Sequence, residues 1–224
     1  MTQADRWLEA TWPSVRAALP EPPARVVELG CGTLGGHVPM LRAAGYDALG
    51  VDPEAPRGAE YRRAEFERLD DPPREVAAVV ASTSLHHVDD PADVLDDVVR
   101  ALAPDGRVIV LEWDWEAFDR PTAEWCFRRL RPEDDPGWLH HHRDAWAESR
   151  EPWEDYLRGW AREHRIHPAR RLLAMLAERF RLDAPVWGPY FFADLEGTSE
   201  DDEARAITAG EISATRVEVV GRRP

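Results

Sequence analysis

Cysteine is scarce in this 224-residue chain. Cys31 and Cys126 are the only two, far apart and in different segments, so neither a disulfide framework nor a thiolate metal cluster can be argued from them. No stretch approaches the ~18 consecutive apolar residues of a membrane span. No basic start followed by an apolar run opens the chain, so no secretory leader is expected and a reducing cytoplasm is the expected compartment. Positive charge is also short. The 43 acidic side chains against 28 basic ones give a formal charge of −15. Such a chain repels phosphate backbones and anionic lipid, so neither nucleic acid nor a membrane is an expected partner. Internal repeats and low-complexity tracts are absent as well.

What is present suits one domain carrying an insertion: 43% hydrophobic and 9% aromatic residues make a substantial core. Residues 3–19 show apolar side chains at helical spacing, with a kink or restart expected at Pro13, and Pro20–Pro23 stop the pattern. Short apolar strands are expected at Arg25–Leu29, Gly45–Asp52, within Ala59–Leu69, at Glu75–Ser82 and at Arg107–Trp113. Between them fall a helix over 36–44 and a well-signed helix after Asp90. There Asp90 serves as N-cap, Pro91 opens the first turn, and Val94, Leu95, Val98 and Leu102 form the apolar stripe. "APDG" (Ala103–Gly106) reads as a turn. Strand alternating with helix implies an α/β, doubly wound, mostly parallel sheet whose ligands lie beyond the carboxyl ends of the strands.

The composition changes near residue 113. Eight of the ten tryptophans lie between Trp113 and Trp187. Helices are expected over 122–130, 138–149, 153–164 and 168–180. Strands follow at Val186–Phe192 and Glu211–Gly221, with a helix between them capped by Ser199 and ended by Gly210. The expected division of a single domain (1–224) is an N-terminal helix (1–24), a cofactor-binding core (25–113), a helical, tryptophan-rich lid for the acceptor (114–185), and C-terminal strands completing the sheet (186–224).

"VVELGCGTLGGH" (Val26–His37) joins the first strand to a helix through glycines. Such a turn lets a ligand approach the backbone closely. Gly30, Gly32 and Gly35 satisfy G-x-G-x-x-G, the spacing of nicotinamide and flavin sites. Asp52 ends the next strand, 22 residues after Gly30, where an acid accepts both ribose hydroxyls. These features fit any ribose-containing cofactor.

The surrounding residues distinguish among them. "VVELGCGT", "GVDPEA" (Gly50–Ala55), "AEFERL" (Ala64–Leu69) and the stretch from Ala81 to Trp113 resemble, in order and spacing, the class I S-adenosylmethionine-dependent methyltransferases of small-molecule type. The resemblance is strong over 25–113 and weak over 186–221. It implies a seven-stranded sheet of order 3-2-1-4-5-7-6 with the last strand antiparallel. It also implies S-adenosyl-L-methionine as cofactor and S-adenosyl-L-homocysteine as product. Glu28, Gly30 and Gly32 would cradle the cofactor's amino-acid end, Asp52 its ribose, and Pro53, Glu65 and Phe66 its adenine, with Ser82 and His87 also in contact. The family's loop is G-x-G-x-G, and here Leu34 is an extra residue that creates the oxidoreductase-like spacing.

Methyl transfer is an in-line displacement, so a protein mainly positions, desolvates and deprotonates. His86, after the fourth strand, is the candidate general base, although capping or packing is the plain alternative for a histidine there. Trp113 and Trp115 in "EWDWE" are candidate walls of an aromatic acceptor pocket, against ordinary packing of the lid. His140–His142 invite a metal reading, but consecutive helical residues point about 100° apart and do not readily share one ion; no metal is expected. Arginines between Arg128 and Arg171 could receive a carboxylate, or pair with neighbouring acids on the surface. The expected function is methyl transfer to an O, N or C nucleophile of a small aromatic or apolar molecule, by a monomer or homodimer. Alternatives are a protein or peptide acceptor, a non-catalytic cofactor-binding module and, less favoured, a nicotinamide-dependent oxidoreductase.

Overall fold

A computed structural model describes residues 2–131 and 136–223. In chain order the regular elements are α1 (Gln3–Ala18), β1 (Arg25–Leu29), α2 (Val38–Ala43), β2 (Asp47–Val51), β3 (Tyr61–Arg62), β4 (Val76–Ser82), α3 (Pro91–Ala101) and β5 (Leu102–Trp113). Then come α4 (Arg120–Phe127), α5 (Trp138–Ser149), α6 (Trp153–Glu163), α7 (Ala169–Arg179), β6 (Arg181–Leu182), β7 (Val186–Gly188), α8 (Glu200–Thr208) and β8 (Arg216–Arg222).

The sheet order is β3-β2-β1-β4-β5-β8-β6, with β7 also on β8. Strands β1 to β5 pair in parallel, and β8 runs antiparallel to β5. β6 and β7 pair with the two ends of β8, forming one interrupted edge. The doubly wound architecture and its antiparallel ending are therefore as the resemblance implied.

Alternation along the central strands builds two cores. Val27, Leu29, Val79, Ala81, Val108 and Val110 face α3 and α7. Their chain neighbours Val26, Ala78, Val80, Ile109 and Leu111 face α1 and α2. Both faces of each strand are covered, so β4 reads as a continuous apolar run, and β1 and the second half of β5 are apolar but for the buried Glu28 and Glu112. α7 belongs to this helical layer, where Leu172 and Leu176 pack on the sheet. A third, aromatic cluster gathers Trp113, Phe118, Trp125, Trp153 and Phe191 between the end of β5 and the lid helices.

Four local expectations are corrected. Pro13 leaves α1 continuous; it lies on the exposed face, where water can take the freed Glu9 carbonyl, while Thr11 and Val15 anchor the buried face. β5 starts at Leu102, with "APDG" accommodated as an irregularity between its pairings to Val76 and Ala78. β7 ends at Gly188 because Pro189 has no N–H for the ladder. β8 begins at Arg216, five residues later than the apolar pattern suggested.

Candidate active site

The carboxyl ends of β1, β2 and β4 open into a cavity of about 650 Å³. Glu28, Gly30, Gly32, Asp52, Pro53, Glu65, Phe66, Ser82 and His87 all line it. Parallel strands in adjacent register bring these segments to one edge, although they span about sixty residues of sequence.

Backbone geometry fixes the floor. Gly30 has φ +76°, and a Cβ there would lie 2.2 Å from Ser84 Cβ. Ser84 has little room to retreat, because its N–H donates to Glu112 and its hydroxyl to the Leu29 carbonyl. The β1 turn and the β4 loop thus touch through a glycine.

The extra residue of the glycine loop lies at the mouth of the cavity. Leu34 is 65% exposed, while Gly35 beside it is covered by the Tyr61 ring from β3. The loop absorbs one more residue by turning its side chain outward, leaving the contacts of Gly30 and Gly32 in place.

Electrostatics favour a cationic ligand. Glu28, Asp52, Glu65, Glu67 and Asp89 line the cavity, and no arginine does. Glu28 is buried; one oxygen meets His37 Nδ1 at 3.0 Å, and the other is buried with no hydrogen-bond partner among the described residues. His37 in turn meets Thr11 of α1 at 3.1 Å through Nε2. Asp52 takes the Gly32 N–H at 2.9 Å and the Glu54 N–H at 2.7 Å, one on each oxygen. Each oxygen keeps a lone pair for a further donor such as a ribose hydroxyl. An orphaned carboxylate oxygen and an aimed aspartate fit the ammonium and ribose of an aminoacyl nucleoside.

Three lining residues come from α1: Ala4, Trp7 and Leu8. The Trp7 indole N–H donates to Ser82 Oγ at 3.2 Å, closing the cavity from above the sheet. Their only signal in the sequence is an apolar helical stripe, which reads equally well as core.

His86 does not line this cavity. It is buried, its Nδ1 is held by Glu112 Oε2 at the end of β5, and its ring packs 4.0 Å from that of His87. Glu112 also accepts the Ser84 and Leu85 N–H groups, so one carboxylate organises the whole β4 loop. Trp113 is buried among Trp138, Trp160, Phe118 and Tyr190. Trp115 lines a second cavity on the lid side. His140 meets the Gly137 N–H and the Arg131 carbonyl, and His142 meets Tyr156; the triplet is not joined at one point.

A family model described as a methyltransferase domain matches residues 4–179. The chain belongs to this methyltransferase family. No curated protein sequence matches it. Among solved structures, an S-adenosylmethionine-dependent methyltransferase from Mesorhizobium loti is 20% identical, with a TM-score of 0.55 over 96% of this chain and 100% of that one. The N-methyltransferase NodS from Bradyrhizobium japonicum, in complex with S-adenosyl-L-homocysteine, is 12% identical, with a TM-score of 0.52 over 96% and 86%. A geranyl diphosphate C-methyltransferase from Streptomyces coelicolor, also holding S-adenosyl-L-homocysteine, is 17% identical, with a TM-score of 0.51 over 96% and 75%. At these identities the likeness is one of fold. It agrees with the β3-to-β6 strand order of this methyltransferase.

Proposed function

We propose that this methyltransferase moves the methyl group of S-adenosyl-L-methionine to an O, N or C nucleophile of a small aromatic or apolar molecule. The donor supplies an activated sulfonium methyl. Glu28 and Asp52 would hold its polar ends, Pro53 and Phe66 would wall the adenine, and Glu65 would receive the adenine amino group.

The observation that carries the acceptor class is a run of rings leading from the cofactor cavity into the lid. Trp7 on the cavity wall packs 5.1 Å from Tyr190, and Tyr190 stacks 5.9 Å from Trp113. Trp113 continues to Trp138 at 5.3 Å. The Trp113 indole N–H is buried and has no hydrogen-bond partner among the described residues, so a flat ligand that parted these rings would meet an unsatisfied donor there.

His86 is the base in this reading. The Glu112 carboxylate accepts from Nδ1–H, which leaves the lone pair on Nε2. His86 lies behind the ring of His87, which lines the cofactor cavity, so in this reading an acceptor hydroxyl or amine would have to pass His87 to give its proton to Nε2 as the new bond forms. His86 stands beside Trp113, with ring centroids 6.3 Å apart.

Calorimetry with S-adenosylmethionine, S-adenosylhomocysteine and NAD tests the donor; preferential NAD binding would sink it. Product release measured over phenols, arylamines and a peptide library tests the acceptor. Turnover confined to peptides would reject the small-molecule class.

A further inference from the structure

The second cavity, about 760 Å³, lies on the lid side of the β4 loop. Arg158, Arg162, Arg165, Arg170 and Arg171 all line it. The acids facing it are Asp89, Glu116, Asp119 and Glu154. Three arginines are matched: Arg170 with Glu116 at 2.9 Å, Arg158 with Asp155 at 2.8 Å, and Arg165 with Asp89 at 3.8 Å. Asp119 is engaged elsewhere, capping α4 through Thr122 and accepting from Ser213.

Arg162 and Arg171 are left, and of the lining acids Glu154 has no ion pair among the described residues. The Arg162 guanidinium has no hydrogen bond or ion pair among the described residues. Arg171 Nη1 lies 3.3 Å from His167 Nδ1. The partners of this buried imidazole define its tautomer. Nε2, 2.9 Å from the Val88 carbonyl, must carry the hydrogen, so Nδ1 is the acceptor. Arg171 is thereby oriented by a lone pair, and its charge has no anionic partner among the described residues.

The cavity also has an aromatic and apolar wall. Trp115, Phe118, Leu157 and Ile166 line it, and the Trp115 indole N–H is buried without a hydrogen-bond partner among the described residues. Its partition from the cofactor cavity is the β4 loop itself. Asp89 lines both cavities, Val88 lines the first, and the His167 N–H donates to the His86 carbonyl at 3.0 Å.

We propose that this cavity binds the anionic end of the methyl acceptor, a carboxylate or phosphate on a small aromatic molecule, held by Arg162 and Arg171 with Trp115 as the aromatic wall. Guanidinium groups bind both anions through paired N–H donors. A chain of formal charge −15 repels anions at long range, so direct guanidinium contacts within the cavity are what would retain one. The acceptor role rests on the methyltransferase reading above; the anion site does not.

The test is calorimetry on the full chain, with and without saturating S-adenosylhomocysteine, using benzoate, benzamide and inorganic phosphate as probes. Benzoate or phosphate should bind, benzamide at least ten-fold more weakly. R162Q/R171Q should weaken the anions at least ten-fold while S-adenosylhomocysteine affinity stays within two-fold. R162K/R171K, which keeps the charge without the fork, should fall between. Tighter phosphate than benzoate assigns the phosphate class, and the reverse the carboxylate class. Equal binding of benzoate and benzamide, no anion binding, or unchanged binding in R162Q/R171Q would overturn the site. If the anions bind and S-adenosylhomocysteine does not, the donor reading fails and the anion site stands. For the acceptor role, hydroxybenzoate should exceed its amide at least ten-fold in kcat/KM, and R162Q/R171Q should erase that preference. Equal turnover of acid and amide would refute it.

Discussion

Replacing Gly30 by alanine isolates the contact between the glycine turn and the β4 loop. Two costs combine. A non-glycine residue at φ +76° pays about 1–2 kcal/mol for the left-handed conformation. The new Cβ would also sit 2.2 Å from Ser84 Cβ, far inside van der Waals contact. Ser84 cannot withdraw without losing its bonds to Glu112 and Leu29, and such overpacking costs roughly 1–3 kcal/mol. G30A should therefore lose about 2–5 kcal/mol. Gly32 is the internal control. It too has positive φ, at +63°, but nothing lies within 4 Å of its missing Cβ. G32A should lose only the backbone share, about 1–2 kcal/mol. Urea denaturation measures both, and calorimetry with S-adenosylhomocysteine should show at least ten-fold weaker binding to G30A. A G30A variant within 1 kcal/mol of wild type, or one no worse than G32A, would refute the steric argument.

Other predictions follow from buried charge. H37A takes away the hydrogen-bond partner of one buried Glu28 oxygen, and leaving such a group unsatisfied costs about 1–3 kcal/mol; a loss under 1 kcal/mol by urea denaturation would count against the pairing. E112Q keeps an acceptor for the Ser84 and Leu85 N–H groups but removes the charge beside His86. Turnover at saturating donor should fall at least ten-fold while cofactor affinity stays within three-fold, and H86A should match it; unchanged turnover in H86A removes His86 as base. Asp194 is pushed up to about 7, first by burial, against the opposing bond from the Trp138 indole. Its folded form holds a proton that the unfolded chain releases near pH 4, so wild-type stability should decline between about pH 4 and 7 relative to D194N. The change is at most about 4 kcal/mol on the scale of 1.4 kcal/mol per pKa unit, and parallel stability–pH curves would contradict it.

Much of the cofactor cavity was legible in the sequence because its residues sit where strands end. Glu28, Asp52 and Ser82 close β1, β2 and β4 or follow directly, and parallel pairing leaves those ends no choice but to meet. Trp7 was not legible, since its role depends on α1 folding back over the sheet, a tertiary fact without a local signature. The Glu112–His86 pair joins residues 26 apart through the adjacency of β4 and β5. The sequence suggests His86 but carries no signal for Glu112 as its partner. The arginines of the lid were visible as a population, yet which of the five lining the lid-side cavity lack an acid depends on side-chain pairing across several elements.

The acidic lining of the cofactor cavity bears on what happens after the reaction. Methyl transfer extinguishes the sulfonium charge, so the product arrives in a negative field with one cation fewer to satisfy it. Five carboxylates with no arginine among them make the cavity a discriminator between the donor and its spent form. Added salt should therefore erode the affinity for S-adenosylmethionine more than that for S-adenosylhomocysteine. The same field that draws the donor in also lessens the enzyme's tendency to be throttled by its own product.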